Sequence, residues 1–128
     1  MDNKKKALFW VKKAKDDLLW TEANIKEKIY FGACFTSQQT VEKALKAYLV
    51  YKGESVKKIH DLGALLEICA KFDASFSDYR EKVLPLVDYY TQARYPEVGD
   101  FVDYTEPKAK EAYLVASEIL EFVETKLR

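Results

Sequence analysis

The sequence predicts an all-α fold, an up-down bundle of four main helices with an additional short helix, on three observations. Apolar residues recur at three- and four-residue steps through most of the chain. Gly and Pro are scarce, 4 and 3 in 128 residues, so few places can turn. No stretch alternates apolar and polar residues with the period of two that marks a strand. With 48% hydrophobic and 33% charged residues the chain is far from a disordered composition. Its length suits a single domain spanning 1–128 that buries one helical core without disulfides or a structural metal.

The first helix is expected from about Lys5 to Lys26, where Ala7, Val11, Ala14, Leu18 and Ile25 form a stripe that Trp10 and Trp20 widen. A break falls at Glu27 to Tyr30. The second helix runs from about Phe31 to Lys52 and stops at Gly53, placed where a left-handed C-terminal cap is wanted. It carries an apolar face (Cys34, Val41, Leu45, Leu49), a small face (Ala33, Ser37, Thr40, Ala44, Ala47) suited to close packing, and a charged face. Gln38 falls in the apolar stripe, where its amide must find partners or cost roughly 1 to 3 kcal/mol.

After a basic loop from Glu54 to His60, Asp61 caps a short helix that points Leu62, Leu65, Leu66 and Cys69 inward and ends near Phe72. A fourth helical segment holds Tyr79, Val83, Leu86, Val87 and Tyr90. Its Pro85 either kinks it or opens a helix that starts late. Tyr95 to Tyr104, with Pro96 and Gly99, is the longest loop candidate. Thr105 caps the last helix, with Glu106 and Pro107 in its first turn and Ala109, Ala112, Ala116, Ile119, Leu120 and Val123 inside.

Charge excludes some functions. The 21 basic and 21 acidic side chains cancel, so no whole-molecule field draws the protein to nucleic acid or anionic lipid, and binding of either kind needs a local patch. No apolar run of membrane-spanning length occurs and the N-terminus lacks a signal-like segment, so a cytoplasmic protein without membrane contact is expected. Cys34 and Cys69 lie among apolar residues outside any metal-binding spacing and read as buried, reduced thiols. With nine Tyr, seven Phe and two Trp the chain holds more aromatic surface than such a core absorbs, which points to a homodimer.

Three short runs, in this order and spacing, resemble the HEPN domain family. They are Tyr30-Phe31-Gly32-Ala33-Cys34-Phe35-Thr36-Ser37-Gln38-Gln39 continuing into Val41-Glu42-Lys43-Ala44-Leu45-Lys46-Ala47, then His60-Asp61-Leu62, then Arg94-Tyr95-Pro96. The resemblance implies a helical bundle, usually dimeric, that binds nucleotides or RNA and is often encoded beside a minimal nucleotidyltransferase as a toxin–antitoxin pair. It also implies that some members are metal-independent ribonucleases, pairing an Arg with a His one to two turns further on. Arg94 stands at the Arg position, but Glu97, Val98, Gly99, Asp100 and Phe101 supply no His. Cleaving RNA without metal requires a base for the 2′-hydroxyl proton and an acid for the leaving oxygen, and Arg stays protonated. If the chain is a ribonuclease, Arg94 steadies the phosphate while His60 or Asp100 stands in as base. The preferred expectation is a noncatalytic nucleotide- or RNA-binding module that partners a nucleotidyltransferase, with a purely structural oligomerisation domain as the remaining alternative. No cofactor and no metal is expected.

Arg94 reads as a guanidinium for phosphate or as an ion-pair partner of Glu97, Asp100 or Asp103. His60 reads as a proton-transfer pair with Asp61 or as a loop support through a hydrogen bond. Tyr89, Tyr90 and Tyr95 suit stacking on a base or a dimer seam. Glu42 and Lys46, one turn apart, suit a helix-surface ion pair of about 0.3 kcal/mol. Lys43 and Lys46, with Lys52, Lys57 and Lys58, form a candidate phosphate-binding patch. The candidate nucleotide- or RNA-binding residues are therefore Arg94, Tyr95, Lys43, Lys46 and His60.

Overall fold

The computed structural model describes residues 1–56, 58–95, 97 and 102–128. Helix α1 spans Asn3–Lys26, α2 Tyr30–Tyr51, α3 Leu62–Phe72, α4 Arg80–Val83, α5 Tyr89–Arg94 and α6 Glu106–Lys126. The described residues contain no strand. Helix α2 lies at the centre, packed on α1, α6, α3 and α5. Its small face (Ala33, Ser37, Thr40, Ala44, Ala47) is fully buried, and Ala7, Ala14, Ala109, Ala112 and Ala116 of the neighbouring helices are equally small and buried. Small side chains at these positions let helix axes approach closely. Leu45, Leu49, Leu62, Leu65, Phe76, Leu86 and Ile119 fill the rest of the core. No described helix is long and apolar enough to cross a membrane.

The helix ends follow local chemistry. Asp2, Asp61 and Thr105 each accept a backbone N–H of the first turn that follows them, from Lys5, Ala64 and Lys108. Helix α2 ends as expected at Gly53, whose φ is 87°. The Gly53 N–H donates to Val50 and the Glu54 N–H to Leu49, the paired bonds of a Schellman cap. Helix α1 ends by the same device without a glycine. Lys28 takes φ 62° there, its N–H donating to Ile25 and that of Ile29 to Asn24.

Two expectations about the helices are corrected. The fourth helical segment is not one helix but a series of short pieces, a 3-10 turn at Ala74–Tyr79, then α4, a 3-10 turn at Leu84–Leu86 and α5. Pro85 sits in the first turn of the second 3-10 piece; proline has no N–H for a helical ladder, so the chain bends here. The inner stripe of α1 is also more polar than its periodicity suggested. Leu18 and Ile25 are only half-buried, whereas Asp17, Thr21 and Asn24 are buried. Partners on α2 account for this: Lys43 Nζ lies 2.6 Å from Asp17, and the Thr21 and Thr36 hydroxyls lie 2.7 Å apart.

Cys34 and Cys69 are free, buried thiols. Burial pushes them up to about 11 and about 12.

Candidate functional site

Gln38, Glu42 and Lys46 recur every four residues on α2, so they form a single stripe along it. All three are buried, Gln38 at 0%, Glu42 at 4% and Lys46 at 1% exposure. The expected surface ion pair is therefore a buried one, with Lys46 Nζ 3.0 Å from Glu42 Oε2 and 5.6 Å from the centre of the Trp10 ring.

The segment before α3 closes over this stripe at His60. Its Nδ1 lies 3.1 Å from Glu42 Oε2 and 3.3 Å from Oε1. Gln38 Nε2 donates to Glu42 Oε1 at 3.3 Å and to the His60 carbonyl at 3.4 Å. Gln39 in turn donates to Gln38 Oε1 at 2.6 Å. Both the backbone and the ring of His60 are thus tied to α2, while its side chain stays 44% exposed. Gln38 joins helix and loop, as an amide in an apolar stripe must.

Beyond His60 the contacts become aromatic. The imidazole lies parallel to the Tyr90 ring, at 4.7 Å between centres and 8° between planes. Arg94, one turn later on α5, places its guanidinium carbon 4.3 Å from the centre of the same ring. Phe35 of α2 stacks on Tyr90 at 6.4 Å. A cation over a tyrosine is held by the ring's negative face, which fixes the guanidinium while its N–H edges remain available. No described carboxylate lies within ion-pair distance of Arg94.

Arg94 and His60 each contact the Tyr90 ring, with Tyr95 exposed next to Arg94 in the chain. The structure separates the remaining candidates. Lys43 is bonded to Asp17 of α1, and Lys46 is too deeply buried to meet an external phosphate. Lys52 lies over the Tyr48 and Tyr51 rings, Lys58 is exposed, and Lys57 lies outside the described residues. The five lysines are consequently not one exposed basic patch. Tyr89 is buried rather than displayed, and burial raises its hydroxyl well above the ordinary range.

Asp100, the other residue named as a possible base, lies outside the described residues, as do Pro96, Val98, Gly99 and Phe101 of the loop around it. Glu106 bonds the Tyr30 hydroxyl at 2.7 Å and pairs with Lys110 at 2.9 Å, and both partners hold its carboxyl below the usual range. Glu97 and Asp103 are exposed. After the loop, Tyr104 is anchored by Phe31, Tyr89 and Gln92. Sequence reasoning missed Glu42 as part of this site. The available signal was the four-residue spacing of Gln38, Glu42 and Lys46, which sets all three on the stripe of α2 where Gln38 already stood among apolar residues.

Residues 7–126 match the family profile described as HEPN domain. A structure described as ST0689, an archaeal HEPN homologue, superposes with a TM-score of 0.77 at 31% identity, covering 95% of this chain and 98% of the other. TT1696 from Thermus thermophilus superposes with a TM-score of 0.84 at 30% identity over 94% of this chain and 98% of that one. A Methanocaldococcus jannaschii protein named "Putative toxin MJ1304" is 27% identical over an alignment covering 98% of this chain and 91% of the relative. With the profile spanning nearly all of the sequence and both solved structures covered almost end to end, the chain belongs to the HEPN domain family.

Proposed function

We propose that this chain is a nucleotide- or RNA-binding module that holds a phosphate with Arg94, presents His60 beside it, and offers Tyr95 to a base. The observation that carries this reading is the convergence of Arg94 and His60, from separate elements, on one ring. Arg suits phosphate through its planar fork of donors, and an exposed tyrosine provides a stacking surface that every base accepts. The module acts in the cytoplasm as a homodimer and as the partner of a minimal nucleotidyltransferase in a toxin–antitoxin pair. The name of the M. jannaschii relative supports the toxin side of that pairing. Exposed Leu19, Trp20, Phe31 and Leu114 give a second subunit apolar surface to cover.

A second reading, a metal-independent ribonuclease, is favoured by one observation. The segment after Arg94 supplies no histidine, yet the fold sets His60 on the tyrosine that also carries Arg94. Histidine is the side chain suited to taking a proton near neutrality. Incubation with a mixed RNA pool, with and without chelator and beside Arg94→Ala, separates the two readings. The binding module leaves the RNA intact, whereas the ribonuclease gives chelator-resistant cleavage that Arg94→Ala abolishes. Oligonucleotide binding absent from both proteins defeats either reading.

A further inference from the structure

A buried ammonium–carboxylate pair is a poor route to stability, because removing both ions from water offsets their attraction. Glu42 and Lys46 nevertheless occupy the middle of the central helix, at 4% and 1% exposure. Their neighbours suggest another use. Every described contact of the Glu42 carboxylate runs to Lys46, Gln38 or the His60 ring, and Gln38 also holds the His60 backbone. A buried charged network therefore converges on one exposed histidine.

We propose that Glu42 is a positioning residue that holds His60 in the tautomer carrying its proton on Nδ1, leaving Nε2 bare, on the same tyrosine that carries Arg94, to accept a hydrogen bond from a ligand hydroxyl next to a phosphate. A carboxylate already paired with an ammonium only accepts, so the His60 nitrogen 3.1 Å from Glu42 Oε2 must donate. In neutral imidazole a proton on one nitrogen leaves the other as an acceptor. Nε2 makes no hydrogen bond within the described residues, and the Tyr90 ring fixes the plane in which it lies. Arg94, on the same Tyr90, supplies only donors. An acceptor and a cation carried by one tyrosine suit a ribose hydroxyl and its neighbouring phosphate, and the acceptor offers nothing extra to a deoxyribose.

The ligand part of this inference rests on the nucleotide-binding reading; the tautomer part does not. The chain contains a single histidine, so its imidazole nitrogens give one unambiguous set of NMR signals. In the native protein, long-range nitrogen–proton spectra of neutral His60 should show Nδ1 protonated and Nε2 bare. In Glu42→Met/Lys46→Met, which removes both charges together, the signals should move to the Nε2-protonated form that free imidazole prefers. Native protein should bind a single-stranded RNA oligonucleotide roughly tenfold more tightly than DNA of the same sequence, about the worth of one hydrogen bond, and the double variant should lose that preference. A native His60 protonated on Nε2 overturns the proposal whatever the oligonucleotides do, and this measurement needs no variant to fold. A native Nδ1-protonated ring with no oligonucleotide binding supports the positioning role of Glu42 and defeats the nucleotide reading instead.

Discussion

Lys46→Met probes the buried pair most sharply. In the native protein Glu42 has an ammonium at 3.0 Å, the Gln38 amide at 3.3 Å and the His60 ring at 3.1 Å. Methionine fills the volume of the lysine stem but leaves the carboxylate buried with only the amide and the exposed ring. Breaking a buried pair from one side costs about 3–5 kcal/mol. His60 still reaches Glu42, so the lower end, about 3 kcal/mol, is expected. That is a large share of the roughly 5–15 kcal/mol that holds a domain together. Urea unfolding followed by far-ultraviolet circular dichroism reads it directly. With a slope of about 1.5 kcal/mol/M, the midpoint falls by about 2 M. Glu42→Met/Lys46→Met, which removes both charges, should instead stay within about 1 kcal/mol of the native protein or exceed it. A double variant as unstable as Lys46→Met would refute the argument, since the pair would then contribute net stability and need no other explanation. A loss below about 1 kcal/mol for Lys46→Met would show that the pair behaves as a solvated one.

Three further predictions rest on local features. Asp73 bonds Lys126 and Ser75, which together lower its carboxyl from 3.8 to about 2; its contribution to stability is complete above pH 3.8 and lost as the pH falls towards 2, so Asp73→Asn should flatten that part of an acid-unfolding curve. Cys34 and Cys69, pushed up to about 11 and about 12, should resist a maleimide or disulfide reagent at pH 8 until denaturant is added, and labelling of the folded protein within minutes would contradict their burial. Lys28→Gly should raise stability by about 0.5–1 kcal/mol in thermal unfolding, because glycine adopts the left-handed φ of 62° at no steric cost; a destabilised variant would show that this cap is held by something other than backbone preference.

Local signals reached the sequence reader more faithfully than long-range ones. Gly53, Asp61 and Thr105 announced helix ends because each residue type performs its capping function with its own atoms. Lys28 gave no such notice, since lysine carries no preference for the left-handed region it occupies. Glu42 and Lys46 read as a surface pair because their spacing describes the helix alone. His60 and the α1 residue Trp10 cover that face, and neither is visible from α2. For the same reason the periodicity of α1 favoured Leu18 and Ile25, while Lys43 and Thr36 across the seam draw Asp17 and Thr21 inside. Arg94 and His60 were each recognisable as residues suited to phosphate and proton chemistry. Their meeting on Tyr90 depended on how α5 folds back onto α2, which no short motif records.

The central claim is that Arg94, set on the Tyr90 ring that also carries His60, grips a nucleic-acid phosphate. Its most direct test is the salt dependence of single-stranded RNA binding by the native protein and by Arg94→Ala, measured by fluorescence anisotropy. Loss of one phosphate contact should weaken binding and make the slope of log K against log salt shallower by about 0.7. The same affinity and the same slope in both proteins would contradict the account and place the phosphate elsewhere.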